Sequence, residues 1–150
     1  MKILFVCLGN ICRSPMAEGV MKKMCAERGL DWEIDSAGLI DYHQGELPDE
    51  RMRWAAKEKG YTLTHRSRPV KESDFSYFDL IFGMDDYNIR SLRRDSPRNC
   101  LEKIKPIADF FVNTKGYTTV PDPYNGDRYD FDNVITLLED ACEGILREFA

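Results

Sequence analysis

The chain opens with Ile3-Leu4-Phe5-Val6, an unbroken apolar run, and passes through one short loop, Cys7 to Arg13, into a segment that begins Ser14-Pro15. A run so short and so apolar is the pattern of a strand buried on both faces, as in a parallel sheet. Pro15 suits the first turn of a helix, and Ser14 is a candidate cap. Ala17, Val20, Met21 and Met24 then recur at helical spacing until Gly29 ends the element. A buried strand leading directly into a helix constrains the whole fold, because parallel neighbours need crossover connections and cannot be joined by hairpins.

The pattern repeats along the chain. Trp32 to Ser36 reads as a second strand, closed by Ala37-Gly38. Pro48-Asp49-Glu50 starts a helix that Lys57, Lys59 and Gly60 end. Leu80-Ile81-Phe82 predicts a third strand, followed by a helix from about Asp85 that must stop before Pro97. Ile104 to Ile107 predicts a fourth strand, and Pro106 assigns it to a sheet edge. The last helix follows a 3.6-residue period through Phe131, Val134, Ile135, Leu138, Ala141, Cys142, Ile145 and Phe149. Alternation of this kind predicts an α/β fold, three layers with right-handed crossovers and helices on both faces of a parallel sheet. Without repeats, low-complexity stretches or a linker, residues 1–150 read as a single domain.

Ligands of such sheets bind beyond the carboxyl ends of the strands. The loop after the first strand, Cys7-Leu8-Gly9-Asn10-Ile11-Cys12-Arg13-Ser14, carries what a phosphate ester needs. A helix N-terminus offers unpaired N–H groups and partial positive charge to a dianion. If Leu8 to Cys12 curl round the same point, their amides add donors, and Gly9 permits close approach or a positive φ. Arg13 supplies a planar fork for two phosphate oxygens. These surroundings favour the thiolate of Cys7, the nucleophilic form, and attack on phosphorus would give a phosphocysteine. Asn10 could orient the loop, and Ser14 could donate its hydroxyl to the sulfur. The alternative is that Cys7 is a small core residue. Further on, Asp122 stands between Pro121 and Pro123 in a stiff loop, suited to delivering a proton to a departing oxygen or, more plainly, to making a turn.

Composition narrows the partners. A net charge of −5 argues against nucleic acid or an anionic membrane surface, though not against an anionic substrate held in one positive pocket. Five cysteines, with no C-x-x-C pair, do not form a disulfide framework and favour a reducing compartment. Two histidines are too few to suggest a zinc site with them. The opening apolar run is shorter than an export signal requires, and no stretch is long enough to span a bilayer, so a cytoplasmic location is expected.

The segment Val6 to Pro15 resembles the signature of the low-molecular-weight protein tyrosine phosphatases. Ser36-Ala37-Gly38, His65-Arg66-Ser67-Arg68, Asp74-Phe75, Met84-Asp85 and Asp122-Pro123-Tyr124 resemble that family's motifs in the same order. The resemblance implies a four-stranded sheet in order 2-1-3-4, with Cys7 as nucleophile, Arg13 as phosphate clamp and Asp122 as general acid. It implies that Asn10, Ser14, Ser36 and His65 form a hydrogen-bond network bracing the loop, and that Tyr42 and Tyr124 wall an aromatic slot. It also implies phosphotyrosine proteins as substrates (a tyrosine kinase is one candidate), inorganic phosphate as product, no metal and no cofactor. The sequence departs from the family pattern at Tyr42, where many members have tryptophan, and at Asn125, where many have a second tyrosine. Three rival readings are an arsenate reductase, a phosphoarginine phosphatase and a non-catalytic phosphotyrosine-binding module. The first needs two further cysteines close together, the second resembles this family but has threonine at the position of Ile11, and the third needs neither Cys7 nor Asp122.

Overall fold

The computed structural model describes residues 1–150. Four parallel strands, β1 (Lys2–Cys7), β2 (Glu33–Gly38), β3 (Leu80–Gly83) and β4 (Ile104–Pro106), lie in the order β2-β1-β3-β4. The helices are α1 (Arg13–Glu27), α2 (Glu50–Glu58), α3 (Glu72–Tyr77), α4 (Asp86–Asp95) and α5 (Arg128–Phe149). Short 3₁₀ turns cover Arg98–Lys103 and Ile107–Phe110.

The period-2 alternation of a strand divides β1 between two cores. Ile3, Phe5 and Cys7 join a large cluster with the buried faces of α1, α2 and α5. Leu4 and Val6 face the opposite way, into a smaller cluster with Phe75, Phe78, Ile89 and Leu92 from α3, the turn after it, and α4. Helices thus cover both faces of the sheet, and Cys7 emerges at the end of β1 on the α1–α5 side.

Element positions follow the sequence reading with small shifts and one omission. β2 runs on to Gly38, and the Pro106 strand does lie at an edge, paired only with β3. Asp85, expected to begin α4, is its cap: its side chain accepts the Asn88 N–H. Helix α3 was not foreseen, since its six residues show too little apolar periodicity. Ser14 is not a helix cap. Cys12 occupies that position, and Ser14 lies inside the first turn with its hydroxyl turned toward Cys7.

Candidate active site

The carboxyl end of β1 opens into a cleft of about 270 Å³. Cys7, Leu8, Gly9, Ile11, Cys12 and Arg13 form its base, and Asp122, Tyr42 and Tyr124 stand around it. Ile40 and His43, which sequence reasoning missed, also line it.

The loop at the base has a directional backbone. Three of its carbonyls are engaged by the surrounding protein: Leu8 O accepts from Leu39 N at 2.9 Å and Ile40 N at 3.1 Å, Ile11 O accepts from Asp49 N at 2.8 Å, and Gly9 O accepts from the Ser67 hydroxyl at 3.0 Å. Its N–H groups are the reverse. From Leu8 to Arg13 none donates to a protein acceptor, although Asn10 to Arg13 are buried. Buried main-chain donors are nearly always paired, so a run of unpaired ones in the loop that lines the cleft is suited to an anion.

The residue in the left-handed region is Asn10, with φ 56°, and not Gly9. Asparagine tolerates this conformation better than most residues, and here its amide is fully engaged. Nδ2 donates to the Ser14 hydroxyl at 2.8 Å and the Ser36 hydroxyl at 3.0 Å. Oδ1 lies 2.9 Å from Nε2 of His65 and accepts from Arg68 N at 3.0 Å. Gly9 serves a different need: a Cβ there would sit 3.1 Å from the His43 ring. Gly38 is equally confined, since a Cβ would meet Leu8 O at 3.0 Å and Asn10 N at 3.1 Å.

The network extends to Glu18, a buried carboxylate on α1 that no sequence signal singled out. Glu18 accepts from the Ser36 hydroxyl at 2.6 Å and from Lys22 at 2.7 Å, and lies 3.2 Å from Nδ1 of His65. Glu18, Asp35 and His65 could offer a metal one ligand atom each. Ser36, Lys22, Asn10 and the Arg68 guanidinium already engage them, which makes the cluster a brace for the loop.

Sulfur, guanidinium and carboxylate converge on the cleft. The Cys7 sulfur is 3.0 Å from the Ser14 hydroxyl and receives the Ser14 N–H at 3.5 Å. Asn10 donates to that hydroxyl oxygen, which leaves the hydroxyl proton to point at sulfur or at Ala37 O, 3.5 Å away. Arg13 donates through Nη1 to Asp85 at 2.7 Å and to Val120 O at 2.9 Å, and its Nη2 lies 3.8 Å from Asp122. Burial opposes the Arg13 charge, but Cys7, Asp85 and Asp122 outweigh it and hold the guanidinium above its ordinary pKa. Cys12 is driven the other way. Burial, reinforced by Asp49, Cys7 and Asp122, pushes its thiol pKa up and keeps it protonated. Asp122 is half exposed and accepts from Tyr124 N at 3.1 Å. The Tyr42 ring meets His43 edge-on at 4.8 Å, and Tyr124 is backed by the Arg51 guanidinium at 5.3 Å.

Residues 2–150 match the sequence profile of the low molecular weight phosphotyrosine protein phosphatases. The chain belongs to that family. The low molecular weight phosphotyrosine protein phosphatase of Gallus gallus is 37% identical over 150 residues, 97% of this chain and 94% of that protein. A solved protein tyrosine phosphatase from Entamoeba histolytica superposes with a TM-score of 0.96 at 48% identity, covering 99% of this chain and 96% of that one. Drosophila arginine phosphatase superposes with a TM-score of 0.92 at 33% identity, covering 99% of this chain and 98% of its own. This chain is accordingly a phosphatase of the low molecular weight tyrosine class, a hydrolase, and its four-stranded sheet has the order of that family's fold.

Proposed function

We propose that this chain hydrolyses phosphotyrosine in protein substrates by two displacements at phosphorus, with Cys7, Arg13 and Asp122 carrying the chemistry. The observation that supports this reading most strongly is the run of unpaired N–H groups from Leu8 to Arg13, in the cleft-lining loop that follows Cys7. In the first step the Cys7 thiolate forms an S–P bond as the bond from phosphorus to the phenolic oxygen breaks, and Asp122 gives its proton to that oxygen. In the second, water attacks phosphorus, Asp122 takes its proton, and the S–P bond breaks to release inorganic phosphate. Arg13 and the loop amides stabilise the charge on the equatorial oxygens in both. Asn10, Ser14, Ser36 and His65 hold the loop in the conformation that points those amides inward.

The same reading can be made for phosphoarginine, given the likeness to an arginine phosphatase. Ile11 weighs against it. Its apolar side chain lines the cleft and offers no hydrogen bond to a guanidinium. Tyr42 and Tyr124 suit an aromatic ring, each stacking contact typically contributing ~0.5–1.5 kcal/mol. No helix is long and apolar enough to cross a membrane, and all five cysteines are free thiols. The cytoplasm suits such a protein, and phosphotyrosine proteins there, tyrosine kinases included, suit its cleft. Replacing Cys7 with serine should abolish turnover of aryl phosphates while leaving vanadate binding, whereas Arg13→Ala should lose both. Retention of more than a trace of turnover by Cys7→Ser would disprove the covalent route.

A further inference from the structure

A second depression, of about 250 Å³, adjoins the cleft and has no part in the chemistry above. Arg51 and Trp54 of α2 form one side of it, Gly126, Asp127 and Arg128 the other, and Phe131 lines it from the core. Trp54 is 64% exposed on a helix whose other face, Met52, Ala55 and Ala56, is fully buried. Isolated exposed aromatics are ordinary. This one sits at the lip of a groove, and the groove is tied to the active site through a single side chain. The Arg51 guanidinium lies 5.3 Å from the ring of Tyr124, a wall of the cleft, and 4.8 Å from the ring of Phe131. Arg51 is itself fixed, with two bonds to the Asp49 carboxylate at 3.1 and 2.9 Å. The Arg51 guanidinium, paired with Asp49, thus stands between a wall of the cleft and the groove.

We infer that the groove between Trp54 and the start of α5 is a substrate subsite, which takes an apolar or aromatic side chain two or three residues from the phosphotyrosine. The inference rests on the phosphotyrosine reading of the cleft. The Arg51 guanidinium lies within about 5 Å of the rings of both Tyr124 and the groove-lining Phe131, and extended chain advances about 3.3–3.6 Å per residue, so two or three residues carry a substrate from a ring seated beside Tyr124, past Arg51, into the groove. The chemistry of the groove selects the occupant. Arg51 and Arg128 are already paired with Asp49 and with Glu58 and Asp132, leaving no free cation to attract an acidic flank. What remains on offer are the exposed face of Trp54 and the aliphatic stems of the two arginines, which favour an apolar guest. The subsite would act through binding and not through the chemical step, because none of its residues reaches sulfur or phosphorus.

The test compares phosphotyrosine peptides identical except for Leu or Asp at the second and third positions on either side, alongside para-nitrophenyl phosphate. The parent protein should prefer the leucine peptides by about fivefold or more in kcat/KM, expressed in KM, as partial burial of one apolar side chain supplies. Trp54→Ala and Trp54→Gln should reduce that preference to less than about twofold while turning over para-nitrophenyl phosphate like the parent. A preference that survives both substitutions, or no preference in the parent, would overturn the subsite. So would self-association that both substitutions abolish with peptide kinetics unchanged, because the groove would then hold a second copy of the chain. Failure to hydrolyse any phosphotyrosine peptide while para-nitrophenyl phosphate is turned over would overturn the phosphotyrosine reading, and this inference with it.

Discussion

The carboxylate of Asp85 meets the guanidinium of Arg13 at 2.7 Å. Asp85 is also the cap of α4 and accepts the Asn88 N–H at 2.8 Å, so the contact is set by the start of a helix and not by a mobile side chain. The Asn88 amide oxygen in turn receives the N–H groups of Met84 at 3.0 Å and Asp85 at 3.3 Å. The Met84 carbonyl accepts from Val120 N at 2.9 Å, two residues before Asp122. One turn between β3 and α4 thereby supports both the Arg13 guanidinium and the loop of Asp122.

Asp85→Ala should leave the protein folded but remove the shortest contact of Arg13, leaving Val120 O and the more distant Asp122 carboxylate. Misplacement of a catalytic group by about 1 Å can cost roughly 10²-fold, so kcat/KM for aryl phosphates should fall about ten- to hundredfold, with weaker inhibition by phosphate. Steady-state kinetics with phosphate as inhibitor check this, and parental values for both would show that Arg13 needs no support from Asp85.

Asp122→Ala should discriminate between leaving groups. Esters of alcohols and phenols with high leaving-group pKa need the proton and should lose most of their rate, while good leaving groups should be far less affected. A leaving-group series compares the slopes directly. Equal losses across it would remove Asp122 from the role of acid.

Asp140 predicts a pH dependence of stability that is independent of the active site. Its carboxylate receives the N–H groups of Val112, Asn113 and Thr114 at 2.8 to 3.2 Å and the Thr114 hydroxyl at 2.6 Å. Burial pushes its pKa up, but the Thr114 hydroxyl and the three amides outweigh that and hold it below the ordinary carboxylate value. A depressed folded-state pKa stabilises above the unfolded value of about 3.9, and that stability is lost as pH falls through the folded one. Asp140→Asn should therefore lower stability near neutrality by about 1–3 kcal/mol, and the gap to the parent should close in acid. Urea unfolding at pH 7 and at about pH 3 measures both, and a gap that widens in acid would contradict the assignment.

The parts of this protein legible in its sequence are those whose physics is local. An apolar run, a loop and a helix start are contiguous, so β1, the Cys7–Arg13 loop and α1 could be read in order, as could the Asp122 loop between its prolines. The family signature resides in the same contiguous residues. Long-range contacts were decided by the tertiary structure alone. Glu18 lies on a helical face like any surface glutamate until β2 and the His65 loop close over it and bury its charge. Asp85 reads only as the start of a helix until Arg13 arrives from the loop after β1. Asn10, not the more permissive Gly9, takes the positive φ, because Ser14, Ser36, His65 and Arg68 hold its amide from four directions, whereas His43 occupies the space where a Gly9 side chain would go. Residue types and their spacing determined which chemical groups the loop presents. Packing of segments distant in sequence decided which way those groups point, because a hydrogen bond exists only once both of its partners have been brought together.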